Sequence, residues 1–401
     1  MMMEYSQALN LILKNTKSLP IEKVAVEDSV GRILRENIYS KIDMPPFNKS
    51  AMDGYALRVK EINKFPAKLK RIGIIEAGEP FRKVIRNNEC VKIMTGASLP
   101  KDADAVVKIE DTMTCGKYVE VSRPVKKWEN VCMRAEDIGK NDKVLAGPRI
   151  ISTSDIALLA AIGRRYVKVA RSPEVAVLNT GGEIIPTGQK ISGKKIYNSN
   201  GPQLMALLKS DSATPCFLGI AKDRPQELRK AIRKGLDSDM LLISGGVSVG
   251  DFDLVPSILK SLGVKKIFHN VRCKPGKPLL FAKGKKALVF GIPGNPVSNF
   301  LAYHIFIYPA LLKMAGYGEC APCFEEGLLD VEFHQRPGRK HFVPVQISKR
   351  GYRSCLKPIT SHGSADILAL SKADGFMVVE ADTLTLKSKS KVQFIRWKYR
   401  K

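Results

Sequence analysis

Asp239–Asp253 reads DMLLISGGVSVGDFD. A short apolar run, Met240–Ile243, stops at Ser244-Gly245-Gly246, and two acids, Asp251 and Asp253, then open a helix-like segment. An apolar strand that ends in a glycine-rich turn and feeds a helix is a common construction of an anion cradle. Glycine lets backbone N–H groups approach an oxyanion, and the helix start adds positive partial charge. Nearby carboxylates add the option of a divalent cation, which enzymes that handle phosphates often need. A second turn, Gly291-Ile292-Pro293-Gly294-Asn295-Pro296, follows the apolar run Ala287–Phe290. The pair points to a phosphorylated small molecule held at strand C-termini.

Working outward, strand-like and helix-like segments alternate from Pro173 onward. Strands are expected at Val175–Asn179, Ala213–Leu218, Met240–Ser244, Lys266–Asn270 and Ala287–Phe290. Helices are expected at Gly201–Lys209, Gln226–Leu236, Leu254–Leu262 and, as one long element, Val297–Met314, with Asn200 as an N-cap. Such alternation implies a doubly wound, mostly parallel α/β domain, whose ligands sit beyond the strand C-termini. Before it, Leu69–Val121 breaks into short β-branched runs separated by Gly, Pro and Asn, the pattern of a β insertion domain. Ser152 and Asp155 make a capping-box pattern ahead of IALLAAIG, and Tyr5–Leu19 has amphipathic helical spacing. Beyond Gly318 the runs LLDVEF, HFVPVQIS, YRSCLKPI, GFMVVE and KVQFIRW predict a C-terminal β domain. The fold class is therefore α/β plus β, multidomain.

Composition sets outer bounds. A chain of 401 residues exceeds one ordinary core. No apolar stretch approaches the roughly 18–20 residues that span a bilayer, and MMMEYSQALN is not a signal pattern. No membrane role and a cytoplasmic location are expected. The formal charge is +27, from 66 Lys+Arg against 39 Asp+Glu. Nucleic acid could attract such a chain, but the basic residues are spread without a run or an aromatic-interleaved motif. A lysine-rich solvated surface accounts for them better, so no nucleic-acid partner is expected. Among eight cysteines only Cys320 and Cys323 form C-x-x-C, half a zinc site at best.

Several polar turns fall at strand ends. Thr180-Gly181-Gly182-Glu183 offers Glu183 to Mg2+ or to a ligand hydroxyl, although a solvated loop acid looks the same in sequence. Lys274-Pro275-Gly276-Lys277 presents two ammonium groups around a rigid turn, suited to an oxyanion. Gly246-Val247-Ser248-Val249-Gly250 also matches the nucleophile elbow of serine hydrolases, yet Gly245, the acids that follow and the second glycine turn have no role in that scheme.

Taken in order, these segments resemble the molybdopterin molybdenumtransferase family, MoeA-type and related to the gephyrin E domain. The resembling motifs are PPFNKSAMDGYALR (Pro45–Arg58), AGEP (Ala77–Pro80), IMTGASLPKDADAVVKIED (Ile93–Asp111), RAEDI (Arg134–Ile138), NTGGEI (Asn179–Ile184), SGGVSVGDFD (Ser244–Asp253), KPGKP (Lys274–Pro278) and GIPGNPVS (Gly291–Ser298). They span nearly the whole chain, and the ordered set is specific.

The resemblance implies insertion of molybdate, or of tungstate with its nearly equal size and charge, into adenylylated molybdopterin, with release of AMP. It implies an elongated homodimer with four regions: 1–43 with 140–171 as a linking and dimerisation region, 44–139 as the β insertion, 172–318 as the α/β molybdopterin-binding domain and 319–401 as a barrel-like β domain. A molybdopterin adenylyltransferase and acceptor apoenzymes are the protein partners that such a pathway position brings. Carried over residue by residue, the catalytic positions are Asp53, Thr95, Asp137, Glu183, Asp223 and Asp253, with Glu183 and Asp253 as Mg2+ ligands. Substrate-binding positions are Ser244, Gly245, Gly246, Ser248, Gly250, Lys274, Lys277, Pro293, Gly294, Pro296, Arg339 and Ser364. Asp251 receives no role. A scaffold without turnover, or a pterin adenylyltransferase, shares parts of this pattern but leaves either the catalytic groups or the flanking regions without a purpose.

Overall fold

A computed structural model describes residues 2–62, 64–247 and 254–397. Ser248, Gly250, Asp251 and Asp253 therefore lie outside the described residues.

The centre of the molecule is a six-stranded sheet in the order Thr214–Ala221, Glu174–Thr180, Met240–Ser244, Leu288–Ile292, Leu280–Lys283, Lys265–His269. The first four strands are mutually parallel, and the last two join antiparallel. The inner strands are apolar on both faces because helices cover both. Val175, Val177, Met240 and Leu242 point into one core, and Ala176, Leu178, Leu241 and Ile243 into the other.

Three helices differ from their sequence outlines. The segment expected as one helix over Val297–Met314 is an α-helix, Pro296–Ala302, a π turn, Tyr303–Ile307, and a second α-helix, Tyr308–Met314. Pro309 explains the interruption, since it has no N–H and would collide with the preceding turn of a regular helix. Asn200 is the first residue of helix Asn200–Ser210 rather than its cap, because its side chain is engaged elsewhere. Helix Tyr5–Asn15 packs Tyr5, Ala8, Leu9 and Ile12 into the α/β core beside Phe306 and Phe342.

Three further β units surround this centre. A four-stranded sheet combines Ile21–Ala25 and Ile33–Leu34 with Arg149–Ile150 and Tyr166–Ala170, so two separated pieces of chain share one core. The helix Thr153–Ala161 beside it starts with the expected capping box: Asp155 N–H donates to Ser152 Oγ at 3.2 Å and Ser152 N–H to Asp155 Oδ2 at 2.8 Å. The insertion is a six-stranded sheet running from Gly54 to Val121, with a small apolar core on each face. At the C-terminal end, Lys340–Arg350 pairs with both Arg353–Pro358 and Gly375–Val379, which closes a barrel through Glu325–Leu329 and Lys391–Arg396. Cys273–Lys274 of the α/β region adds to this sheet alongside Lys340–His341. That pairing sets the lysine turn against the C-terminal domain. Among the described residues no helix is long and apolar enough to cross a membrane.

Candidate functional site

The two glycine turns meet at the C-terminal edge of the parallel sheet. Ser244 ends its strand fully buried, and Gly245 and Gly246 follow with φ of 95° and 62°. A side chain at Gly245 would strike the Thr180 carbonyl and hydroxyl, so this turn admits glycine alone. Gly245 N–H donates to Ile292 O at 3.0 Å, tying the first turn to the strand that feeds the second.

A buried amide clamp fixes the turns. Asn200 Nδ2 donates to Ser244 Oγ at 3.0 Å and to Gly294 O at 2.7 Å. Asn299 Nδ2 donates to the same Ser244 Oγ at 2.9 Å and to Pro293 O at 3.2 Å. The hydroxyl of Ser244 thus joins both loops, a role that its place in SGG did not reveal. In sequence Asn200 reads as an ordinary N-cap, a place asparagine favours, so its bridging role gave no separate signal. Thr180 Oγ1, beside the Gly245–Gly246 turn, is buried without a hydrogen-bond partner among the described residues.

Two carboxylates flank Gly181–Gly182. Glu183 folds its carboxylate back against Gly181, and Asp223 Oδ2 accepts from Gly182 N–H at 3.3 Å. Lys195 Nζ donates to Gly182 O from the other side. Hard carboxylate oxygens at the ends of two neighbouring parallel strands, Glu174–Thr180 and Thr214–Ala221, are suited to Mg2+, so the donors present fit the metal that the family resemblance implies.

Beside the second turn opens a cavity of about 600 Å³. Lys274, Lys277, Pro293, Arg339 and Ser364, all singled out in sequence, line it. Gly294 and Pro296 are not among the lining residues but alternate in the chain with Pro293, Asn295 and Val297, which are, and Pro296 begins helix Pro296–Ala302. Asn295 Nδ2 donates to Ser364 Oγ at 2.8 Å, and Val297 N–H donates to Ser364 O at 3.1 Å, so the C-terminal domain's serine loop is stitched to the glycine turn. Arg339 Nη1 donates to Cys273 O at 3.4 Å and holds the arginine over the lysine turn. Burial pushes the Cys273 thiol up to about 12, so it stays neutral behind the lysines. His341 also lines the cavity, and the sequence reading overlooked it. Burial, then Lys274 and Arg339, lower its imidazole to about 4.

Asp53, Thr95 and Asp137 are not brought to this cavity within the chain. Asp53 Oδ1 accepts from both Thr95 N–H and Thr95 Oγ1 at 2.7 Å, which unites the MDGYA and MTGA turns of the insertion. These bonds hold the Asp53 carboxyl below its ordinary range. Asp137 lies near the base of the insertion, its N–H donating to Met44 O at 3.0 Å. Cys320 is buried, with Sγ donating to Tyr317 O at 2.9 Å, and Cys323 is exposed. Among the described residues no group of three His, Cys, Asp or Glu side chains gathers as a metal site.

Comparison with known proteins gives this arrangement a family. Residues 3–163 match the MoeA N-terminal region (domain I and II), 183–313 a probable molybdopterin binding domain, and 326–397 the MoeA C-terminal region (domain IV). The molybdopterin molybdenumtransferase of Staphylococcus epidermidis is 30% identical over 396 residues, covering 97% of this chain and 94% of that protein. That of Staphylococcus aureus is 31% identical with the same coverage. The crystal structure of the molybdopterin biosynthesis moeA protein from Pyrococcus horikoshii OT3 superposes with a TM-score of 0.83 at 27% identity, over 99% of this chain and 100% of that one. The chain belongs to the MoeA family of molybdopterin molybdenumtransferases.

Proposed function

We propose that this chain, whose family works in molybdenum cofactor biosynthesis, is a cytoplasmic, Mg2+-dependent molybdopterin molybdenumtransferase. It takes adenylylated molybdopterin with molybdate or tungstate, joins the metal to the pterin dithiolene and releases AMP as the pyrophosphate is hydrolysed, water supplying the new P–O bond. The observation that carries this reading is the convergence of Lys274, Lys277 and Arg339 with Ser364 and Pro293 on one cavity beside the glycine turns.

In this mechanism the three cations seat a tetrahedral dianion, with the Ser364 hydroxyl as a further donor. The glycine turns, braced by Asn200, Asn299 and Ser244, present backbone N–H groups to the pyrophosphate. Two anions that repel in water are thereby held side by side, and much of the rate acceleration comes from that positioning. Glu183 and Asp253 would hold Mg2+, with Asp223 standing beside Glu183 at Gly181–Gly182. When bound there, Mg2+ supplies charge neutralisation at the pyrophosphate.

Asp53, Thr95 and Asp137 enter through dimerisation. In a homodimer the insertion of one subunit completes the cleft of the other, which gives these exposed groups a task that they lack within one chain. Incubation with adenylylated molybdopterin, Mg2+ and each oxyanion in turn tests the proposal. AMP release that requires both Mg2+ and an oxyanion is expected. Protein that binds neither compound and liberates no AMP contradicts it.

A further inference from the structure

We propose that His341 is the proton acceptor of the oxyanion cavity, taking the proton of a pterin thiol as the metal–sulfur bond forms. This deepens the transferase reading above and rests on it.

Hydrogen bonding fixes the tautomer. Gln335 Nε2 donates to Glu380 O and to Thr383 O, each at 2.9 Å. Both amide protons are committed to carbonyls, so the oxygen of Gln335 is the atom that faces the histidine. His341 Nδ1 lies 2.9 Å from Gln335 Oε1. An acceptor oxygen there requires a donor, so Nδ1 carries the hydrogen and Nε2 holds the lone pair of the neutral ring. Nε2 makes no hydrogen bond among the described residues.

Placement sets His341 beside the oxyanion-binding cations. His341 stands opposite Lys274 in the parallel pairing of Cys273–Lys274 with Lys340–His341, and it lines the cavity with Lys277 and Arg339. The cations are donors only, and the Ser361 and Ser364 hydroxyls are far too weak as bases to hold a proton at neutral pH. His341 is the one Brønsted base among the described lining residues. Its depressed basicity keeps it unprotonated before substrate arrives. A bound dianion offsets Lys274 and Arg339 and raises that basicity at the moment it is needed.

The step balances. Two metal–sulfur bonds form as two S–H bonds break, and one metal–oxo bond is lost. The two thiol protons, relayed through Nε2, leave with that oxygen as water, and no oxidation state changes.

The test runs wild type and His341→Ala side by side, following AMP and pterin-bound metal in single turnovers. Insertion should fall at least about 100-fold in the variant, with the Kd for adenylylated molybdopterin unchanged and the rate restored by free imidazole. His341→Gln, which accepts a hydrogen bond but not a proton, should be equally slow and serves if the alanine variant does not fold. The ¹⁵N shifts of the ligand-free protein should report the Nδ1–H tautomer. A wild-type rate in either variant, an alanine variant that imidazole leaves slow, or the Nε2–H tautomer overturns the proposal. Inactive wild-type protein counts instead against the transferase reading.

Discussion

Asp53 and Thr95 stand 42 positions apart in the sequence, yet one carboxylate oxygen takes both donors of the threonine. A carboxyl held below its ordinary range stabilises the fold above its unfolded pKa, and that contribution is lost as pH falls through the depressed folded value. Thr95→Val removes one donor and keeps the other, so Asp53 should titrate at a higher pH by NMR; an unchanged titration would show that the hydroxyl contributes nothing. Lys277→Ala should raise the molybdate KM by tenfold or more, at about 1.5–3 kcal/mol for a charge-assisted bond, and leave the Kd of the pterin nucleotide within twofold. Equal losses in both would deny a dedicated oxyanion lysine. The lysines were legible because a Pro-Gly turn between two cations has few structural uses. His341 was not, because it sits in a strand that reads as alternating barrel sequence, and its meaning depends on Gln335 and Lys274, whose approach only the tertiary pairing creates.

At the scale of elements, the parallel sheet could be read from alternating apolar runs and turns, and its inner strands fall where those runs lie. Leu280–Lys283 escaped notice because it follows a proline-rich turn and has no period-2 pattern. The N-terminal helix was legible as amphipathic, but which core it would enter was not, since an apolar face does not name its partner. A helix of this length draws its stability from tertiary packing more than from propensity, and packing is settled only when the sheet is in place. The seam between the discontinuous region and the α/β domain was equally hidden. Arg35 Nη1 donates to Ala315 O at 3.1 Å, capping the end of helix Tyr308–Met314, and it lies where a side chain on Gly316 would stand. Gly316 has φ of 71°. Gly316→Ala should therefore displace Arg35 and cost about 1–3 kcal/mol in a denaturant melt. A melt superimposable on wild type would mean that the seam yields freely.

Across the whole molecule, the order of motifs identified the family, but the division of the site did not follow from order. Lys274, Lys277, Arg339 and Ser364 share one cavity, and Asp53, Thr95 and Asp137 stand apart on the insertion. Sequence spacing cannot show that separation, because it depends on how rigid domains are set against each other. If a second subunit closes the gap, Asp53→Ala and Lys277→Ala proteins should complement one another when assayed at molybdate far below the raised KM of the lysine variant, where neither parent turns over appreciably. Random exchange makes half of the dimers mixed, each with one intact site of two, so about a quarter of wild-type activity should return. No recovery after verified subunit exchange would place the site within one chain. The central claim, that a tetraoxo metal anion is seated where the lysine turn meets the C-terminal domain, is tested most directly by anomalous diffraction from crystals soaked in tungstate. A single strong peak among Lys274, Lys277, Arg339 and Ser364 is predicted. A peak elsewhere, with that cavity empty in protein that turns over, would contradict it.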